Sequence, residues 1–154
     1  MQTEETEEIL TPLAYDAQHS CFGCGVLNEI GLHMRFMTNG EHEAVCHVTV
    51  PERFQGPHGF VHGGVIASML DEAMSKAIHA SPHEFSAMAM TRHMETNYLR
   101  PVPLGKRVVI RARQARVEGR KHFCEASVSD ETGQPLATGK ALFIAIARQP
   151  EHKH

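Results

Sequence analysis

The densest chemistry in this sequence lies in one stretch, Val61-His62-Gly63-Gly64-Val65-Ile66-Ala67-Ser68-Met69-Leu70-Asp71. Two glycines directly before an apolar-periodic run leave backbone N–H groups, unshielded by side chains, at the positive end of a helix dipole. Such a place can hold a carbonyl oxygen that is turning into an oxyanion. The simpler role for Gly63 and Gly64 is a tight loop-to-helix turn. Asp71 lies on the flank of the apolar stripe, beside Ala67, Ser68, Met74, Ser75 and Ile78. A carboxylate among small and apolar neighbours is costly to hold ionised unless a partner or a substrate needs it there. Asp71 is therefore read either as a catalytic acid–base group or as a carboxylate that hydrogen-bonds across a helix or subunit contact.

The other constellations carry less. Cys21 and Cys24 have metal-ligand spacing, but zinc needs two more donors, and the plausible ones, Cys46 and His47, are adjacent rather than a second C-x-x-C. No metal site is expected. A thioredoxin-type role needs the pair at the start of a helix, whereas Gly25 and a turn from Asn28 to Gly31 follow it. His58 and His62 stand four apart, but Pro57, Gly59 and Gly63 make that stretch a loop, and no Glu follows His58 as a zinc protease would require. There is no G-x-S-x-G nucleophile elbow in the chain.

The elements that must position these groups follow from hydrophobic periodicity. Apolar residues at 65, 66, 69, 70, 73 and 77 mark the buried face of a helix from Gly63 or Gly64 to about Ala80. Ser68, Glu72, Lys76 and His79 form the opposite, solvent-facing side, with Glu72 and Lys76 as an i, i+4 pair. Before the helix, Leu32, Met34 and Phe36 alternate with polar residues, as do Ala44, Cys46, Val48 and Val50. The turn Asn39-Gly40 between them predicts a hairpin ended by Pro51. After the helix come an extended stretch, 87 to 102, and strands at about 107–117, 121–130 and 136–147. Residues 1–20, with Glu4, Glu5, Glu7, Glu8 and Asp16, read as an N-terminal arm, and 21–154 as the domain. No second helix covers an outer face, so the order is best satisfied by an α+β arrangement, a curved antiparallel sheet wrapped around the helix.

The length of 154 residues suits one domain that buries about 70% of its unfolded surface. Hydrophobic residues at 42% and charged residues at 21% argue against disorder and fibrous repeats. A net charge of -3 lacks the footprint needed to neutralise many phosphates, so nucleic acid is not an expected partner. The longest apolar run, Ala141 to Ala147, falls far short of the roughly 20 residues of a bilayer span. The acidic start, MQTEETEEIL, is unlike a signal peptide, so a cytoplasmic location with no membrane partner is expected. Four cysteines are too few for a disulfide scaffold, and no structural disulfide is expected. Twelve histidines, mostly solvated, predict acid sensitivity.

Taken together, several strings resemble one family. His62-Gly63-Gly64 with Asp71 nine residues after the His stands in front of Asn97-Tyr98-Leu99-Arg100-Pro101-Val102-Pro103-Leu104-Gly105. Cys21-Phe22-Gly23-Cys24-Gly25 opens the domain, followed by Asn28, Gly31 and Leu32. From about Cys21 to Ala147 the chain resembles the phenylacetyl-CoA thioesterase-like (PaaI) group of hotdog-fold acyl-CoA thioesterases. The resemblance implies a hotdog fold and hydrolysis of an acyl-CoA thioester to free acid and CoA, by a homodimer or homotetramer, with no cofactor beyond the CoA of the substrate. It implies Asp71 as general base or nucleophile and an amide of Gly63 or Gly64 at the carbonyl oxygen. Thr91, seven residues before Tyr98, matches a Ser or Thr that helps hold the attacking water. Arg100, Arg120 and Lys121 are candidates for the CoA phosphates. One departure is visible: the family's Asn six residues before the His is Gly56 here, with Gln55 just before it.

A thioester needs little more than a positioned water, a carboxylate base and one or two N–H donors, each worth roughly 10² to 10³ in rate. Two rivals remain: an enoyl-CoA hydratase or dehydratase on the same fold using His62, and an acyl-CoA binding module in which Asp71 is structural. Helix geometry adds an expectation about assembly. Asp71 lies about 10 Å along the axis from Gly64 at 1.5 Å per residue, too far for one carbonyl to meet both, so the two halves of a site should come from different subunits.

Overall fold

The computed structural model describes residues 7–13, 20–80 and 88–147. The readings that fall on Glu4, Glu5, Asp16 and residue 87 lie outside them. The 3.6-residue periodicity of the central segment produces α1, Gly63–His79, which buries Ile66, Met69, Leu70, Ala73, Met74, Ala77 and Ile78. Fully burying each of the Ile, Leu and Met side chains contributes about 1.5–3 kcal/mol. The period-2 segments become β1 (Thr11–Pro12), β2 (Met37–Thr38), β3 (Glu43–Thr49), β4 (Met88–Tyr98), β5 (Arg107–Glu118), β6 (Lys121–Asp130) and β7 (Pro135–Ile146), and a 3-10 turn spans Glu52–Phe54.

All seven strands join one antiparallel sheet in the order β1-β2-β3-β5-β6-β7-β4. The sheet lays its apolar face on α1, the expected α+β arrangement of a sheet around one long helix. Gly139 of β7 marks a close approach, since a Cβ there would lie 3.4 Å from Leu70 Cδ1. After α1 the chain adds β4 outside β7, from Met88↔Ile146 to Tyr98↔Ala137. Among the described residues β4 has a strand on one side only, with Met88, Met90 and Tyr98 exposed along it. No helix among the described residues is long and apolar enough to cross a membrane.

Two expectations change at the N-terminal side. Leu32, Met34 and Phe36 are buried in alternation as read, but the hairpin with β3 is confined to Met37–Thr38. The reason is competition for backbone partners: the N–H groups of Leu32 and Met34 donate to the carbonyls of Phe22 and Gly23 at 2.8 and 2.9 Å. The same Cys21–Gly25 turn lies over the helix face assigned to solvent. Glu72 and Lys76 do form their pair, at 3.6 Å, but their side chains are only 15% and 24% exposed. Part of the arm is also tied to the sheet, through β1 on β2 and through Glu8, whose two carboxylate oxygens accept from Arg111 at 2.9 and 3.0 Å.

Candidate active site

The start of α1 is built by His62. Its extended backbone (φ -59, ψ 135) makes it the N-cap, and its Nδ1 accepts the Gly64 N–H at 2.9 Å. That bond fixes the neutral imidazole as the Nε2–H tautomer. The N–H groups of Val65 and Ile66 donate to the His62 carbonyl. Of the two amides singled out from sequence, Gly64 is therefore engaged by the cap, and Gly63 has no acceptor among the described residues. Tyr98 stands over this glycine: its hydroxyl donates to the Gly63 carbonyl at 2.8 Å, and a Cβ on Gly63 would lie 3.6 Å from its ring. In the sequence Tyr98 served only as a spacing marker, although a tyrosine at the end of a strand before two prolines is a signal of such a post.

The loop before the helix leaves no room for the family's Asn. A Cβ on Gly56 would sit 2.8 Å from His62 Cα, because the Gly56 N–H donates to Phe60 O while the His62 N–H donates to Phe54 O. Gln55 does not take over the role; its Oε1 accepts the Gly59 N–H at 2.9 Å and holds the loop.

Two turns further along α1, Asp71 meets Thr91 of β4. The threonine hydroxyl donates to Asp71 Oδ1 at 2.7 Å. Burial pushes the Asp71 carboxyl above its ordinary value of 3.8; the Thr91 bond offsets part of this, and the neighbouring Glu72 charge adds to the rise. Among the described residues no Lys, Arg or His forms an ion pair with Asp71. A half-buried carboxylate steadied by a neutral hydroxyl, with no cation, retains the capacity to accept a proton.

Both groups sit on the seam between α1 and β4, but they are not one cluster. Gly63 and Asp71 are about 12 Å apart along the helix axis at 1.5 Å per residue. Met69 and Met74 fill the core, whereas Met88 and Met90 lie exposed on the β4 edge.

The cations proposed for CoA are divided as well. Arg100 follows the end of β4, beside the start of β7, its N–H donating to Leu136 O, while Arg120 donates from Nε to Ala145 O and Lys121 pairs with Ile144 at the other end of β7. At roughly 3.3 Å per residue the two groups stand about 30 Å apart in one chain. Arg100 instead borders a cavity of about 590 Å³ together with Phe60, Lys106 and Arg107. Lys106 and Arg107 were passed over in the sequence, where a basic pair after Gly105 at a strand start was the available signal.

Comparison with known proteins gives this seam a family. The chain is 33% identical over 134 residues to acyl-coenzyme A thioesterase THEM4 of Bos taurus, covering 84% of this chain and 53% of that protein. It is 32% identical over 112 residues to the Xenopus laevis THEM4, covering 72% of this chain and 49% of the other. The chain thus spans about half the length of the curated relatives it matches. Its fold is similar to the E. coli PaaI protein from the phenylacetic acid degradation operon, with a TM-score of 0.66 over 75% of this chain and 81% of that one. At 19% identity this is a likeness of fold. A thioesterase superfamily model matches residues 58–137, slightly more than half of the sequence and inclusive of Gly63, Asp71 and Thr91; this hotdog-fold chain belongs to the thioesterase superfamily.

Proposed function

We propose that this protein hydrolyses an acyl-CoA thioester to free acid and CoA, with Asp71 as the base. The observation that carries the reading is the 2.7 Å Thr91–Asp71 bond on a half-buried carboxylate whose protonation is favoured by burial. The acyl-coenzyme A thioesterase name of the THEM4 relatives supports the same substrate class. Thr91 donates its proton to Oδ1, so its lone pairs accept a hydrogen of the attacking water while Oδ2 takes the proton the water gives up. Attack on the thioester carbon places negative charge on the carbonyl oxygen, which the Gly63 N–H at the helix N-terminus stabilises. Collapse expels the CoA thiolate. Single turnover in ¹⁸O-labelled water separates this from attack by Asp71 itself followed by cleavage of the mixed anhydride at the aspartyl carbon, which leaves the label in the aspartate. A panel of aryl, short and long acyl-CoAs followed by thiol release tests the activity; saturable binding with no thiol release from any of them overturns it.

The active unit in this reading is at least a homodimer. The exposed β4 edge suits pairing with a second copy. Two such edges running antiparallel across a two-fold axis bring the Gly63–Tyr98 end of one seam beside the Asp71–Thr91 part of the other. The same operation carries Arg100 of one copy toward Arg120 and Lys121 of the second, a basic rim for the CoA phosphates. Mixing two inactive variants tests the shared site: Asp71→Ala, and Gly63→Pro, which deletes the N–H at the first helical position, where proline is tolerated. After co-refolding at equal amounts half of the dimers are mixed, each with one intact site, and about a quarter of wild-type activity returns. If mixed dimers form and the mixture stays as dead as its parents, the site is not shared.

A further inference from the structure

Outside the α1–β4 seam, a second group of side chains converges with a different chemistry. Cys21 Sγ, Cys24 Sγ and a carboxylate oxygen of Glu72 all lie within 4.8 Å of one another. Cys24 is buried and the Glu72 side chain is 15% exposed. The turn that carries the cysteines is wound around the sulfurs. The Gly23 N–H donates to Cys21 Sγ at 3.3 Å, and the Gly25 N–H to Cys21 O at 2.8 Å. A Cβ on Gly25 would come within 2.2 Å of Cys21 N, so this winding requires glycine after the second cysteine. The turn is fixed from outside by Phe22 edge-on to Phe54, with ring centroids 6.3 Å apart, and by the Leu32 and Met34 amides on the carbonyls of Phe22 and Gly23. The three donor atoms are thus brought together by groups that are not themselves donors.

We propose that Cys21, Cys24 and Glu72 form a binding site for one divalent cation of borderline softness, with Zn²⁺ as its occupant and the fourth tetrahedral position left to water. Two sulfurs select zinc over Mg²⁺ or Ca²⁺, and one carboxylate completes a donor set that tetrahedral zinc accepts. Charge supports the same ion. Two thiolates and a carboxylate carry three negative charges, and Lys76, whose Nζ lies 3.6 Å from Glu72 Oε1, supplies one positive charge. A divalent cation brings the site to neutrality. Glu72 divides its oxygens accordingly: Oε1 faces Lys76, while Oε2 faces Cys21 Sγ at 3.7 Å. Loading exchanges two thiol protons for the ion, with no change of oxidation state. The bound ion clamps the 21–25 turn to α1. Sequence reasoning found two donors and stopped, because the third stands 51 residues from Cys21 on a helix face that the pattern assigned to solvent.

The test uses the full chain, kept reduced by a phosphine, stripped with a chelator and titrated with Co²⁺ as a spectroscopic probe, then with Zn²⁺ in competition. The expected result is thiolate-to-cobalt charge-transfer absorption that saturates at one equivalent per chain and is erased by one equivalent of Zn²⁺. Cys24→Ser should abolish the band. Glu72→Gln, which retains both sulfurs, should weaken Co²⁺ binding roughly 10-fold or more. No charge-transfer band in the wild-type chain at excess Co²⁺ overturns the proposal, whatever the variants do. A titration unchanged in folded Cys24→Ser overturns it as well, and one unchanged in Glu72→Gln removes the carboxylate from the site. None of these readouts involves thioester hydrolysis, so the two proposals stand or fall separately.

Discussion

Asp71 and Glu72 are consecutive carboxylates on one helix, both half-buried, and they have opposite surroundings. Glu72 has a cation, Lys76, on one oxygen and a thiol, Cys21, on the other, under a turn that shuts it from solvent. Asp71 has a neutral hydroxyl on one oxygen and, among the described residues, no cation, and it faces Thr91 on the β4 edge strand. The 100° that separates successive helical residues is enough to turn one carboxylate to the Cys21–Gly25 turn and the other to Thr91 of β4. Two carboxylates of similar burial thus differ in the nature of their partners, an ion pair and a thiol against a neutral hydroxyl.

The largest expected effect separates the two in turnover. Asp71→Asn should lower kcat by at least ~10²-fold with little change in KM, while Glu72→Gln should hold kcat within ~3-fold. Equal losses in steady-state thiol release would erase the distinction. Next, Thr91→Val should cost roughly 10-fold in kcat, the value of one hydrogen bond that orients the carboxylate and its water.

Smaller shifts concern pH. Burial raises Asp71, so the acid limb of kcat/KM should fall above pH 3.8. Removing the Glu72 charge takes away a contribution that raises Asp71, so Glu72→Gln should move that limb to lower pH. Thr91→Val removes a bond that lowers it, and should move the limb to higher pH. Shifts in the reverse directions would mean that another group titrates.

The smallest effects are on melting temperature, and they should differ in sign. Glu72→Gln gives up an ion pair worth about 1 kcal/mol and should lower Tm by about 2–4 °C. Asp71 has a folded pKa above its unfolded value, so between pH 3.8 and that raised value the folded state holds more protons and stability falls as pH rises. Asp71→Asn lacks this loss, so Tm at pH 7 should rise by about 1–2 °C, a gain that disappears as the pH approaches 3.8.

The helix, β5, β6 and β7 were legible because their periodicities are long and unbroken; β5 begins where expected, and β6 matches at both ends. Thr91 was singled out through spacing shared with a family, as a group near the attacking water; its bond to Asp71 was not foreseen, since nothing in a strand threonine reveals which helix residue it will face. What the pattern could not show was occupancy by other parts of the chain. Polar residues at 72 and 76 report that a face tolerates water, and the Cys21–Gly25 turn then covered it. Gly64 was read as a free amide because capping by His62 depends on a rotamer rather than on residue type. Arg100, Arg120 and Lys121 were grouped as candidates for the CoA phosphates, but antiparallel strand direction places Arg100 at one end of the sheet and the other two at the opposite end.

The position of β4 at the outer edge of β7 also has a kinetic meaning. β5, β6 and β7 pair with their neighbours in sequence through turns at Gly119 and at Asp130–Gly133, so they form a low-contact-order meander. β4 precedes them in the chain yet pairs only with the last of them, a ladder that must close a loop around the whole meander. Thr91 therefore reaches Asp71 late in folding. In the folded monomer the same strand is bonded on one side only, so its local opening costs less and its amide hydrogens exchange sooner than those of β5, β6 and β7 inside the sheet. The Thr91–Asp71 bond is thus carried by an edge strand whose pairing closes the longest loop of the β4–β7 unit.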